Sequence, residues 1–190
     1  MRILIVLASI FLTACVSGPP SADWRLNSVA ALNSFQQHYL RGDTRAADLD
    51  FERAKAELRS TGDPALVARA ELVRCAARAA SLEFDGCPGF ERLRVDAGAE
   101  ELAYAEYLAG RGQRSAPDDA FSRLTFLAVQ FYSGRANPEA ISAAIDIASS
   151  QGWRRPLLAW LGMQEKRAEA AGDRAALERI RRRIALILGS

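Results

Sequence analysis

Arg41-Gly42-Asp43-Thr44-Arg45-Ala46-Ala47-Asp48-Leu49-Asp50-Phe51-Glu52-Arg53-Ala54 is the stretch whose reading decides the fold. Gly42 reads as the residue just past a helix end, where the backbone turns left-handed and a side chain would clash. Asp43 reads as the N-cap of the following helix. A stop and a start in adjacent residues make the flanking helices antiparallel neighbours. The same punctuation recurs along the chain. Gly62-Asp63-Pro64 adds proline at the first helical position. Gly134 to Glu139 offers Asn137 as a cap and an acid in the first turn. Ser115-Ala116-Pro117-Asp118 starts another helix, and Ala171-Gly172-Asp173 repeats the first junction.

Between these breaks Ala, Leu, Arg and Glu dominate, all strong helix formers, and β-branched runs of period two are absent. The reading is all-α, with helices over about 23–41, 43–60, 64–81, 98–111, 117–133, 138–150, 154–171 and 174–188. Residues 82–97 read as irregular, with one turn around Phe90–Leu93. Apolar stripes of period 3.6 support the assignment. Leu177, Ile180, Ile184 and Ile187 form one, Phe121, Leu124, Leu127, Ala128 and Phe131 a second, and Val29, Leu32, Phe35, Tyr39 and Leu40 a third.

Taken in pairs, the helices make units over 23–60, 64–111, 117–150 and 154–188, the period of helical-hairpin arrays. The first pair resembles a tetratricopeptide (TPR) repeat. Gly42 takes the inter-helix glycine, and Ala47, Phe51 and Ala54 take the small–aromatic–small positions of the second helix. The last pair shares the Gly172-Asp173 turn, with Leu177 and Arg181 in place of the small and aromatic residues. Gly134 to Ala140 is one residue longer than the pattern, and the middle unit departs most. The resemblance implies a TPR-like array of about four hairpins; a compact helical bundle is the alternative architecture.

At the other end of the chain, Arg2 is followed by an apolar run, Ile3 to Leu12, and then by small residues. This is the layout of a secretory signal, and about ten apolar residues are too few to span a bilayer of ~30 Å. Leu12-Thr13-Ala14-Cys15 resembles the lipobox of bacterial lipoproteins. The resemblance implies cleavage before Cys15 and a lipid on that cysteine, so that the protein works at the cell envelope. The expected organisation is a signal peptide at 1–14, a lipidated Cys15 with a short linker at 15–22, and a helical domain at 23–190. Seven linker residues reach at most ~25 Å and keep the domain near the membrane. Val16 follows the lipidated residue, where an Asp would imply retention in the inner membrane. The resemblance therefore points to the outer membrane, facing the periplasm.

Two cysteines remain in an exported chain, Cys75 and Cys87, which suggests a disulfide, the other reading being two separate buried thiols. Bridged Cα atoms lie within about 7 Å, whereas a helix continued from Cys75 to Phe84 carries the chain ~13 Å away. A bridge therefore requires the helix to end near Ser81. Leu82–Gly86 must then fold back, using the turn residues Asp85-Gly86 and Pro88-Gly89.

The 190-residue chain has a formal net charge of +2, and loss of Arg2 lowers it to +1, which does not suit nucleic-acid binding. One histidine, His38, excludes multi-His metal sites, and its place near a helix end suits the macrodipole. Asp118-Asp119 read as first-turn acids, Glu100-Glu101 as the opening of a helix, and most of Asp48, Asp50 and Glu52 as solvated. Ser81 and Ser122 have no evident His partner, and no phosphate loop, nucleophile elbow or Glu-Ser signature of lytic transglycosylases is present. No cofactor and no catalytic residue is expected. Arg179, Arg181, Arg182 and Arg183 read as a solvated helix face or as a patch for phospholipid head groups. Tyr104, Tyr107, Trp153 and Trp160 are candidate partner-binding aromatics, the other reading being core.

These readings converge on a non-catalytic, protein-binding lipoprotein of the outer membrane. Resemblance to TPR-like lipoproteins implies an assembly factor for an envelope machine. The alternative is an enzyme acting on peptidoglycan, or an activator of one. If Cys15 carries the anchor, Cys15→Ser leaves an uncleaved precursor or a soluble protein; a processed Cys15→Ser protein still in the membrane fraction would remove the lipoprotein reading.

Overall fold

The computed structural model describes residues 23–137 and 139–189. Cys15, the lipobox and the linker lie outside them. The elements are helices α1 (Asp23–Arg41), α2 (Thr44–Arg59), α3 (Pro64–Ala80), a single turn α4 (Pro88–Glu91), a 3-10 turn (Arg94–Asp96), α5 (Ala99–Leu108), α6 (Ala120–Tyr132), α7 (Glu139–Ser150), α8 (Arg154–Ala170) and α9 (Arg174–Leu188). No strand occurs among the described residues, and no helix there is long and apolar enough to cross a membrane.

The junctions form for the reasons legible in the sequence. Gly42 sits at φ 90° and Gly172 at φ 66°, conformations that a Cβ would strain. Asp43 and Asp173 cap α2 and α9 by accepting from Ala46 and Ala176 backbone N–H at 3.1 and 2.9 Å. Asp63 caps α3 through Ala65 N–H at 2.9 Å, with Pro64 opening the helix. One start differs: α6 begins at Ala120, because Asp119 is its cap, accepting from Ser122 N–H at 2.9 Å. Pro117 and Asp118 therefore belong to the preceding loop.

The α1–α2 hairpin packs as the small–aromatic–small pattern requires. Ala47 and Ala54 are fully buried, and Phe51, 1% exposed, stacks obliquely on Phe35 with ring centroids 5.0 Å apart. The buried stripe of α1 is Ser28, Ala31, Phe35 and Tyr39, so Val29, expected on that stripe, is exposed. The hairpins then close on one another. α3 packs against α1, α2, α5 and α6, and α8 returns to α1 as well as pairing with α7 and α9. Trp160 on α8, 0% exposed, donates its indole N–H to the Ala80 carbonyl at the end of α3, at 3.1 Å. Contact between α1 and α8 brings the first and last hairpins together, so the all-α hairpins share a common core. A smaller second cluster joins Leu72 of α3, Phe90 of α4, Tyr107 and Leu108 of α5 and Val129 of α6.

Phe51→Ala removes a ring from the seam where α1, α2 and α3 meet. It is expected to lower unfolding stability by about 3–5 kcal/mol, read as a shift of the urea midpoint at unchanged m-value. A loss below about 1 kcal/mol would show that the ring does not fill that seam.

Candidate functional site

The region between α3 and α5 holds the most chemistry, and the end of α3 builds it. Glu83 N–H bonds the Arg78 carbonyl at 2.9 Å and Leu82 N–H the Ala79 carbonyl at 2.8 Å, a Schellman closure. Its left-handed position is occupied by Leu82 at φ 61° instead of glycine, a conformation costing about 1–2 kcal/mol. The chain folds back over Leu82–Gly86. Asp85 accepts from Cys87 N–H at 3.2 Å, and Cys87 is itself left-handed at φ 55°. This return brings Cys87 to Cys75 as a disulfide, with Cα atoms 5.6 Å apart. The helix end near Ser81 that such a bridge requires is what the structure has.

The loop forms one wall of a cleft of about 510 Å³, with α5 and the end of α6 opposite. Phe84 stacks flat on Tyr132, with centroids 4.1 Å apart and planes at 11°, and Tyr132 remains 55% exposed. The polar wall is a ladder of ion pairs. Arg94 grips Glu91 with two donors at 2.8 Å and reaches Glu106 at 3.5 Å, and Arg111 grips Glu106 from the other side. These guanidiniums hold the Glu91 and Glu106 carboxyls below the usual range, by hydrogen bonding first. Below the cleft, Glu83 accepts from the Tyr39 hydroxyl at 2.9 Å and pairs with Arg78 and Arg155 at 3.5 and 3.6 Å. Arg155 lies 4.2 Å over the Tyr39 ring and donates to the Tyr39 carbonyl at 2.8 Å. The cleft is thus tied to both α1 and α8.

The aromatics named from sequence separate. Trp153 and Trp160 are buried, Trp160 against Phe131, so they are core residues and not an exposed anchor. Their seven-residue spacing reports one helix face, and the face points inward. Tyr107 is also buried and Tyr104 partly so; their rings stand 5.9 Å apart. Arg114 lies 4.9 and 5.8 Å over the two rings. The loop before α6 therefore covers the tyrosine pair.

The charged residues make specific contacts that the sequence does not name. His38 Nδ1 meets Asp50 Oδ2 at 2.7 Å, and Asp50 is buried, while Asp48 and Glu52 are solvated. His38, in the last turn of α1, thus also ties α1 to α2. Glu101 is buried under Arg69, which donates from Nε and Nη2 at 2.8 and 2.6 Å. Arg181 is held by Glu165 and Glu169 of α8 at 2.7 Å, which removes it from any free basic patch. Among the described residues no group of three His, Cys, Asp or Glu side chains gathers as metal ligands would. The Phe84–Tyr132 stack and the Arg94 ladder were not read from sequence. Phe84 and Tyr132 lie 48 positions apart, and the ladder joins the local pairs Glu91–Arg94 and Glu106–Arg111 across 12 positions of irregular chain, where no periodicity links them.

Burial raises three phenols. Tyr104 is pushed from 10.0 up to about 12, Tyr107 also moves upward, and Tyr39 moves upward through burial and its bond to Glu83. In the unfolded chain these groups ionise near pH 10, so the folded state favours their neutral forms. That stability is complete below about pH 10 and is lost as pH rises toward about 12. Urea midpoints should fall across this window, with a shallower fall in Tyr104→Phe, and ultraviolet titration should show late-ionising phenols. Ionisation of Tyr39, Tyr104 and Tyr107 near pH 10 would contradict the burial argument.

Comparison of the chain with protein-family models, with curated proteins and with solved structures finds no match.

Proposed function

We propose that the protein is an outer-membrane lipoprotein, anchored through Cys15 and facing the periplasm, whose helical domain binds an envelope protein without catalysing a reaction. It would act as an adaptor or assembly factor of an envelope machine. The cleft beside the disulfide is the observation that carries the binding reading. It pairs an exposed aromatic, Tyr132, with a rigid support, Phe84, at the mouth of a cavity of about 510 Å³. Large aromatics held in this way are the residues that anchor protein interfaces. The loop bearing Phe84 is fixed by the Cys75–Cys87 bridge and by the ties of Glu83, so little ordering entropy is lost on binding.

The carboxylates of the cleft favour binding over hydrolysis. A glycosidase keeps one carboxyl protonated by burial while the other stays ionised. Here Glu91 and Glu106 are both pulled toward the ionised form by Arg94 and Arg111. The ladder therefore offers fixed, alternating charge to a partner, which sets register and specificity.

A photo-crosslinking residue at position 132, activated in intact cells and followed by tag purification and mass spectrometry, tests this. One stoichiometric envelope protein is expected, and Tyr132→Ala should deplete it from conventional crosslinks by about tenfold, the loss of a single anchor. Recovery of peptidoglycan fragments without a protein would overturn the adaptor reading in favour of a cell-wall role.

A further inference from the structure

The outward face of α1 changes character along its length. Leu26, Ala30, Asn33 and Gln37 recur at helical spacing and are all exposed, on the side opposite the buried stripe of Ser28, Ala31, Phe35 and Tyr39. That face is apolar near the start of the helix and polar toward its end. Leu26 is 59% exposed, and Val29, on the edge of the same face, is 52% exposed. Two large apolar side chains thus stand in water within the first two turns of α1.

Packing fixes which end of the molecule this is. Asn27 donates to Glu57 at 3.2 Å, so the start of α1 lies beside the end of α2, and the Gly62 turn brings the start of α3 there as well. The end of α1 lies at the opposite pole, where the Tyr39 hydroxyl meets Glu83 and Arg155 reaches the Tyr39 carbonyl. Between the poles runs α3, 17 residues and so ~25 Å long. The Tyr132 cleft belongs to the second pole, since Cys75, Ala79 and Glu83 line it.

The chain outside the helices says what covers the first pole. Only seven residues separate Cys15 from Asp23, and they reach at most ~25 Å. A lipid on Cys15 therefore keeps the start of α1 beside the bilayer. Leu26 and Val29 offer too little surface for a stable protein interface, which takes about 800 Å² from each partner. A tethered face needs far less, because the tether makes the second contact intramolecular. Charge adds no pull: Asp23 and Arg25 beside the patch cancel in sign, as do Glu57 and Arg59 at the adjoining end of α2.

We propose that the start of α1 rests in the lipid–water boundary of the bilayer that holds the Cys15 lipid. Leu26 and Val29 enter the upper acyl region, while Asn33 and Gln37 stay in water. This orientation holds the Tyr132 cleft away from the membrane. The proposal rests on the reading of Cys15 as the anchor.

A photo-crosslinking residue placed in turn at positions 26, 29, 37 and 186 tests it. The full chain is purified from cells in detergent and reconstituted into vesicles of phosphatidylethanolamine and phosphatidylglycerol. Mass spectrometry then reads both the lipid on Cys15 and the phospholipid adducts at each position. On the lipidated protein, adducts at 26 and 29 should exceed those at 37 and 186 several-fold, although Leu186 is 81% exposed. Leu26→Gln combined with Val29→Gln should leave the melting temperature unchanged, because both side chains are exposed, and should lower adducts at position 30 several-fold. Adducts at 26 and 29 no more frequent than at 37 or 186, on a lipidated protein, would overturn the proposal and leave the anchor standing. So would crosslinked dimers through 26 or 29, which would make this face a contact between copies. Adducts at 26 and 29 without a lipid on Cys15 would keep the contact and remove the anchor; neither lipid nor adducts would remove both.

Discussion

Burial of α3 around most of its circumference is the constraint on which the structure depends. Val67, Ala68, Ala70, Leu72, Cys75, Ala76, Ala77, Ala79 and Ala80 are all buried, and they belong to both hydrophobic clusters. A helix approached from several sides has room for little beyond methyl groups, because interiors are packed to crystal density. Alanine thus serves two ends here. It favours the helix, and it lets α1, α2, α5 and α6 come close to one axis. The helix ends where it must, since Trp160 claims the Ala80 carbonyl and the chain then turns through a left-handed Leu82.

That forced ending creates the cleft beside the disulfide. Had α3 continued, Cys87 could not return to Cys75, and Phe84 could not lie flat on Tyr132. The backbone strain at Leu82 and Cys87 is held by the bridge and by the bonds that Glu83 makes to Tyr39, Arg78 and Arg155. Local strain of one or two kcal/mol survives where surrounding contacts over-determine the conformation. The consequence is rigidity: the wall of the cleft is tied covalently to α3 and by polar contacts to α1 and α8. The ion pairs along it are largely exposed and add little stability individually, at most about 1 kcal/mol each. They hold the charges along the cleft in a fixed order.

The fold was legible in the sequence to the extent that it is local. Gly42-Asp43, Gly62-Asp63-Pro64 and Gly172-Asp173 name their turns, because a left-handed glycine and a capping aspartate are chosen by the backbone within a few residues. The helix end at Ser81 was legible too, once Cys75 and Cys87 were required to meet. The candidate sites were less so. Trp153 and Trp160 share a face in any helix, but only packing against Ala80 and Phe131 turns that face inward. Asp50 looks like its neighbours Asp48 and Glu52 until His38 is brought to it from α1. Lys55 and Glu71 are unremarkable members of two charged helices, and only the α2–α3 turn makes them a buried pair.

By itself, the sequence determined an all-α chain of antiparallel hairpins, the positions of their turns, and the condition under which its two distal cysteines can bond. These follow from backbone conformation and from periodicity, which act over a few residues. Tertiary structure alone decided that the first and last hairpins touch and that α3 lies at the centre. It also decided that charges of α2 and α3 meet as a buried pair while those of α4 and α5 line a cleft. Such outcomes depend on which surfaces exclude water from one another across more than a hundred residues, as when Arg155 reaches the Tyr39 carbonyl, and no local pattern in the chain encodes that choice.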